Sequence, residues 1–235
     1  LAAAEAALRG ARALPAGVLR LSAPTQFGAL HVAPLAAELA RRHPELSVDL
    51  RLADRPVDLI EEGFDAALRV GAGAPGGLIA RRVAETAILT LAAPAYLARN
   101  GTPKTPADLA AHECVVWIGA GRSVAWRFRA GGKAREIAIA GRVRADAPGA
   151  VLAAAIAGAG IARLPEYQAR DALADGRLTT VLDAFAPPSV PIAVLYPAPG
   201  PGFAVPPKLR VFLDLAVERL GGAGQAKPRP ASVKV

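Results

Sequence analysis

A single cysteine stands among 235 residues, so no intramolecular disulfide can form and a reducing compartment fits best. That residue, Cys114, leads into Val115-Val116-Trp117, a setting for a buried strand thiol rather than a nucleophile. The three histidines, His31, His43 and His112, lie too far apart to share a metal-ligand spacing. Aromatic residues are scarce at 5% against 53% hydrophobic residues, mostly alanine, which points to a finely divided aliphatic core. Long apolar runs are absent too. The longest, 150–162, is too short to cross a bilayer and is interrupted by Gly158 and Gly160. The first residues form an Ala/Leu/Arg helix pattern without the n-region and cleavage site of a secretory signal, so a cytoplasmic location is expected. No nucleophile elbow, phosphate loop or dinucleotide fingerprint occurs, and Gly71 to Gly77 lacks the Lys-Ser/Thr of a P-loop. With no convergent acid, base or nucleophile set, neither catalysis nor a cofactor nor a metal is expected.

Positive charge is in excess, at +8, which raises the question of nucleic acid. The arginines are scattered singly, however, without a dense cluster or interleaved aromatics for stacking bases. A compositional bias explains the charge equally well.

The organised part of the chain begins at Gly17. Val18 to Leu21 alternates like a strand and runs into Ser22-Ala23-Pro24-Thr25-Gln26, and a helical pattern follows from Phe27 to Arg42. A second strand, Leu46 to Leu52, turns at Asp54-Arg55-Pro56 into a short helix ending at Gly63, and Phe64 to Val70 closes the unit. The acidic group Asp58, Glu61, Glu62 and Asp65 reads as the solvated face of that short helix. In an open α/β sheet, ligands bind outside the carboxyl ends of the strands, where each of these polar turns lies.

Leu78 to Leu91 reads as a strand pair or one bent strand, and Pro94 starts a helix that stops at Asn100-Gly101. Thr105 to Leu109 is a capped helical turn. Short strands are expected at Cys114 to Ile118, Ala125 to Arg129 and Arg135 to Arg144, with a break at Gly141. Ala147 to Ala157 is a helix, Gly160 to Leu164 a strand, Pro165 to Ala174 a helix, and Arg177 to Leu182 and Ile192 to Tyr196 are strands. Pro206 to Leu220 is an amphipathic helix with Leu209, Phe212, Leu213, Ala216, Val217 and Leu220 on one face. Both Val18 to Arg42 and Arg142 to Ala157 run strand, polar turn, helix, so two lobes would set two helix N-termini facing each other over a cleft.

These residues resemble the effector-binding domain of LysR-type transcriptional regulators. Gly17 to Pro24 with Phe27-Gly28 looks like that family's first strand, and Arg41-Arg42-His43-Pro44-Glu45-Leu46 like its lead into the second. The strongest match is Asp54-Arg55-Pro56-Val57-Asp58-Leu59-Ile60-Glu61-Glu62-Gly63-Phe64-Asp65 through Gly71. Ala93 to Leu97, Leu109 to Cys114, Gly158 to Pro165 and Leu195-Tyr196-Pro197 continue it in order over roughly residues 1–220.

The resemblance implies an α/β, periplasmic-binding-protein-like (type 2) fold of two subdomains around a central cleft. It divides the chain into the end of a linker helix (1–16), subdomain I (17–90 plus 191–220), subdomain II (91–190) and a disordered tail (221–235). It also implies a winged helix-turn-helix domain that this stretch lacks, so DNA would be contacted only through that domain. The implied partners are a small-molecule effector and a second copy of the chain, as a homodimer or, in the full-length protein, a tetramer. In that dimer the region Phe27 to Leu52 of one copy faces Ala147 to Ala157 of the other. Nothing implies a membrane. An extracytoplasmic solute-binding protein of the same fold is the alternative, and an enzyme on this fold is a third reading.

The residues expected at the effector are Ser22, Pro24, Thr25, Asp54, Arg69, Asp146, Arg163, Pro165 and Tyr196. Ser22 and Thr25 either cap a helix or help its N-terminus bind a carboxylate. Asp146 caps its helix or takes a donor group. Arg69 forms an ion pair with Asp54 or Asp65, or grips the ligand bidentately. Arg163 stands where the family usually has an apolar residue, and either snorkels to solvent or lines the pocket. Ala145, where a polar residue is common, and the glycine-rich loop Gly71 to Gly77 also depart from the family. Tyr196 reads as packing more than contact.

Overall fold

The computed structural model describes residues 14–71, 73, 76–119, 125–200 and 204–221. The helix expected over 1–14 and the tail expected beyond 221 lie outside these residues, apart from Leu14 and Gly221 at their edges.

One five-stranded sheet holds β1 (Gly17–Ala23), β2 (Leu46–Leu52), β3 (Ala66–Val70), β4 (Leu78–Thr86) and β12 (Val190–Pro197), in the order β2-β1-β3-β12-β4. β1 runs parallel to β2 and β3, whereas β12 is antiparallel to β3 and β4. The connection from β1 to β2 starts as a turn of helix at Thr25–Phe27, passes through a π-turn at Gly28–Val32 and continues as α1 (Ala33–Arg42). Its buried side chains are Phe27, Val32, Leu35 and Leu39. The step of five from Phe27 to Val32 is one residue longer than an α-helical repeat, and the π-turn absorbs it so that both face the sheet. The last helix, α5 (Pro207–Leu220), buries Leu209, Phe212, Leu213, Ala216 and Leu220 in the same core, as its sequence periodicity predicts, but Val217 of the predicted face is exposed and Leu215 is buried instead.

The other five-stranded sheet holds β5 (Ile88–Ala92), β6 (Cys114–Trp117), β9 (Val143–Ala145), β10 (Ile161–Pro165) and β11 (Thr179–Thr180), in the order β11-β5-β10-β6-β9. A hairpin of β7 (Ala125–Ala130) and β8 (Lys133–Ala138) stands apart from it, turned by Gly131 and Gly132 at φ +57 and +77, the left-handed pair a two-residue hairpin turn needs. The hairpin sends Trp126 and Phe128 into the second core, where α2 (Pro94–Asn100), α3 (Pro148–Ile156) and α4 (Glu166–Ala174) also pack. The chain passes from one sheet to the other between β4 and β5 with Ala87 alone in between, so Leu78 to Leu91 is one bent stretch serving two sheets.

Two sequence-based elements are corrected, and a third breaks where the sequence indicates. The segment 54–63 is a turn rather than a helix. Asp58 Oδ1 accepts from the Ile60 and Glu61 amides at 2.9 and 3.0 Å, Glu62 bonds back to the Asp58 amide, and Gly63 at φ +70 ends it after one turn. The stretch 135–144 breaks around Gly141 as expected, its halves joining different sheets, and Gly141 passes so close to the Cys114 carbonyl that no side chain would fit. The strand 177–182 shrinks to Thr179–Thr180, since Leu182 adopts the left-handed φ of +61.

Candidate functional site

Between the two sheets lies a cavity of about 450 Å³, and its walls are the carboxyl ends of strands. Pro24 follows β1, Asp54 follows β2, and Arg69, Val70 and Gly71 end β3. Opposite them Trp117 and Ile118 end β6, Pro148 starts α3 after β9, and Arg163, Leu164 and Pro165 end β10. Tyr167 and Gln168 of α4, Trp126 of the hairpin, Ile88 and Val190 complete the lining with Ala125. Two helix starts, at Pro24 and Pro148, therefore border the cavity from opposite sides.

On the first wall the polar groups are bonded to one another. Ser22 is fully buried, and its Oγ accepts from Arg69 Nη2 at 3.1 Å, while Arg69 Nη1 donates to the Leu68 carbonyl at 2.7 Å. The Thr25 amide donates to Asp54 Oδ1 at 3.0 Å. Neither Ser22 nor Thr25 caps the helix by its hydroxyl, because the N-cap position is Pro24, which has no side-chain acceptor. The Asp54 carboxylate does that work from the neighbouring strand end, as a negative group suits a helix N-terminus. The ion pair expected between Arg69 and Asp54 or Asp65 does not form. Asp65 is instead held by Lys208 Nζ at 2.7 Å and by the Arg20 amide at 2.8 Å. Burial lowers the Arg69 pKa, the like charge of Arg55 lowers it further, and Asp54 and Glu62 oppose both.

The second wall is built differently. Arg163 lies over the face of Phe128, its Cζ 4.8 Å from the ring centroid, and Nη2 donates to the Arg127 carbonyl. Its buried Nε has no hydrogen-bond partner among the described residues. Arg163 thus lines the cavity and does not reach out to solvent, and burial lowers its pKa to about 10, which leaves it charged at neutral pH. Trp117 Nε1 donates to the Asp146 carbonyl at 2.8 Å, which fixes the indole beside the start of α3. The Asp146 side chain is exposed and caps nothing, because Ala147 holds the N-cap position. Tyr167 packs edge-on against Phe27 at 5.2 Å between centroids, and burial raises its phenol pKa.

Of the residues named from sequence, Pro24, Asp54, Arg69, Arg163 and Pro165 line the cavity. Ser22 sits behind Arg69, and Thr25 meets Asp54 through its backbone. Asp146 lies outside the lining, as does Tyr196, whose ring is buried in the first core. Trp117, Trp126, Tyr167 and Gln168 were not anticipated. Trp117 could have been found by the rule that found Arg69, since it too ends a strand. Trp126 could not, because the hairpin carrying it belongs to neither large sheet. Among the described residues no three His, Cys, Asp or Glu side chains are placed to hold a metal, and no helix is long and apolar enough to cross a membrane.

Comparison with known proteins bears directly on this architecture. The model of the LysR substrate binding domain family matches residues 12–221. The chain is 30% identical over 222 residues to the HTH-type transcriptional regulator CrgA of Neisseria meningitidis serogroup B, covering 94% of this chain and 73% of the relative. It is 33% identical over 181 residues to an uncharacterized HTH-type transcriptional regulator of Haemophilus influenzae, covering 77% and 63%, and 37% identical over 166 residues to the probable HTH-type transcriptional regulator LtrA of Klebsiella pneumoniae, covering 71% and 54%. The chain thus spans less than two thirds of the length of these last two. Among solved structures, the CrgA regulatory domain superposes with a TM-score of 0.74 at 30% identity, over 88% of this chain and 100% of that one. Full-length AphB, a Vibrio cholerae virulence activator, gives 0.75 at 25% identity, over 88% and 70%. By these matches and by its two sheets around one cleft, the chain belongs to the LysR substrate-binding-domain family and has the type 2 periplasmic-binding-protein-like α/β fold.

Proposed function

We propose that this chain is the effector-sensing domain of a cytoplasmic LysR-type transcription regulator. A small anionic molecule binds in the cleft and biases the relative orientation of the two sheets, and a dimer passes that bias to DNA-binding heads outside this chain. The observation that carries this reading is the cleft itself. Its 450 Å³ are bordered by two helix starts, and two arginines outnumber the one carboxylate, Asp54. The binding residues are Pro24, Asp54, Arg69, Arg163 and Pro165, joined by Trp117, Trp126, Tyr167 and Gln168, with Ser22 positioning Arg69 and Thr25 positioning Asp54.

The helix-turn-helix regulators among the relatives favour this reading over an extracytoplasmic solute-binding protein and over an enzyme. For the dimer, Leu30 and Leu52 lie 51% and 38% exposed on the helix and strand flanking β1, an apolar face suited to α3 of a second copy in a two-fold arrangement.

The test is a thermal-shift screen of small carboxylates, aromatics and amino acids on the full chain, read together with tryptophan emission. A ligand that binds only the folded state raises the Tm. Both tryptophans of the chain line the cavity, so a cleft ligand changes their emission. Hits that raise the Tm and leave the emission unchanged sink the cleft assignment.

A further inference from the structure

The two arginines of the cleft are not equivalent, and the difference points to a ligand class. Arg69 sits within the field of Asp54 and Glu62, and beside it the first amide of the helix start is taken by the Asp54 carboxylate. An anion arriving there meets a negative group already in place. Ser22 is fully buried and engaged with Arg69. The N-terminus on this wall is therefore already neutralised from within the protein.

Arg163 has no such compensation. Its contacts are a backbone carbonyl and the face of Phe128, both neutral, and no carboxylate forms an ion pair with it among the described residues. A partly buried charge without a counter-ion is costly, and an incoming anion that pairs with it recovers part of that cost. Its Nε is a buried donor without an acceptor, beside an Nη2 that is already oriented. Held at Nη2 by the Arg127 carbonyl and packed on Phe128, the guanidinium is a positioned, unpaired charge at the cavity wall for a carboxylate to meet. Around it Trp117 and Trp126 bring indole groups to the cavity lining, and Ile118 and Pro148 add apolar contact.

Resting on the cleft reading above, we infer that the effector is a planar aromatic carboxylate. Its head pairs with Arg163 of the second sheet, and its ring packs against Trp117 and Trp126. Arg163 is then the specificity-determining residue for the acid group.

The experiment uses 2-naphthoate, its neutral amide 2-naphthamide, and succinate as an anion without a ring, each titrated into the full chain and followed by calorimetry and tryptophan emission. The expected result is binding of 2-naphthoate with an emission change and binding of the other two at least tenfold weaker. Affinity for 2-naphthoate should fall at least tenfold in Arg163→Gln, recover in part in Arg163→Lys, and stay within about threefold in Arg177→Gln, an arginine paired with Asp175 outside the cavity, on the scale of a charge-assisted hydrogen bond. Circular dichroism melts confirm that each variant is folded. If 2-naphthoate binds with an emission change while Arg163→Gln leaves affinity intact, the inference fails and the cleft reading stands. If it binds without an emission change, both fail. Binding of 2-naphthamide as tight as of 2-naphthoate, or no binding of any probe, overturns the ligand class.

Discussion

The two walls of the cleft are made from the same strand–turn–helix unit, yet they hold their polar groups in opposite ways. On the β1 side the pairs Thr25–Asp54 and Ser22–Arg69 satisfy one another inside the wall. On the β10 side Arg163 is held only by a carbonyl and an aromatic face, and one of its donors is left over. A wall with closed hydrogen bonds is a rigid reference surface. One with an uncompensated charge has free energy to gain from a ligand. Shared topology therefore places the site, and the side chains at the strand ends decide which half of it recognises the effector.

The largest effects should come from the two cores behind these walls. Phe128 and Phe212 are both fully buried, one under Arg163 on the hairpin and the other on α5 against the first sheet. Truncation to alanine should cost each about 3–5 kcal/mol in urea unfolding of the full chain. A loss below about 1 kcal/mol for Phe128→Ala would show that the hairpin is peripheral to the second core.

A smaller and more unequal pair concerns backbone approach. A methyl at Gly141 would overlap the Cys114 carbonyl, which cannot move without disturbing β6, so Gly141→Ala should destabilise by about 3 kcal/mol. A methyl at Gly28 meets chiefly the tip of Leu52, an exposed side chain that can swing away. Because alanine is also the better helix former, Gly28→Ala should fall within about 1 kcal/mol of wild type. Equal losses in thermal melts would mean that the first sheet is as tightly packed at its edge as the second is at Gly141.

These contrasts also explain what could be read from the sequence. Elements whose burial follows a simple period were visible. β1 alternates through Leu19 and Leu21, and α5 repeats its apolar residues at helical spacing. Arg69 and Arg163 were visible as candidates because each is a charge at the end of an apolar strand. What stayed hidden depends on partners distant in sequence. That Ser22 is consumed by Arg69, 47 positions away, and that the Thr25 amide is consumed by Asp54, 29 positions away, follows only from β1 lying between β2 and β3. The hairpin is a further case. Its alternation announces two strands, but nothing in it shows that Trp126 and Phe128 turn toward the second core and not toward solvent.

The smallest expected effect lies at the joint where the walls meet. His31, on the π-turn of the first wall, packs 4.7 Å from Phe27 and 6.2 Å from Tyr167 of α4, between ring centroids. Burial lowers its pKa below 6.5, and the charge of Arg170, also on α4, lowers it further. The folded protein therefore takes up this proton less readily than the unfolded chain does. Between the unfolded value and the lower folded one the unfolded state binds more protons, so stability rises with pH across that window. The contribution is complete above about pH 6.5 and is lost as the pH falls through the folded pKa. Since His31 is only partly buried, solvent screens the effect, and a change of a few degrees in Tm between about pH 7.5 and about pH 5.5 is expected. His31→Gln removes the titrating group and should lose less Tm over that interval than wild type, with Arg170→Gln falling between them. If wild type and His31→Gln lose the same number of degrees, the acid sensitivity resides in the carboxylate pairs of the first wall, and the joint is indifferent to pH.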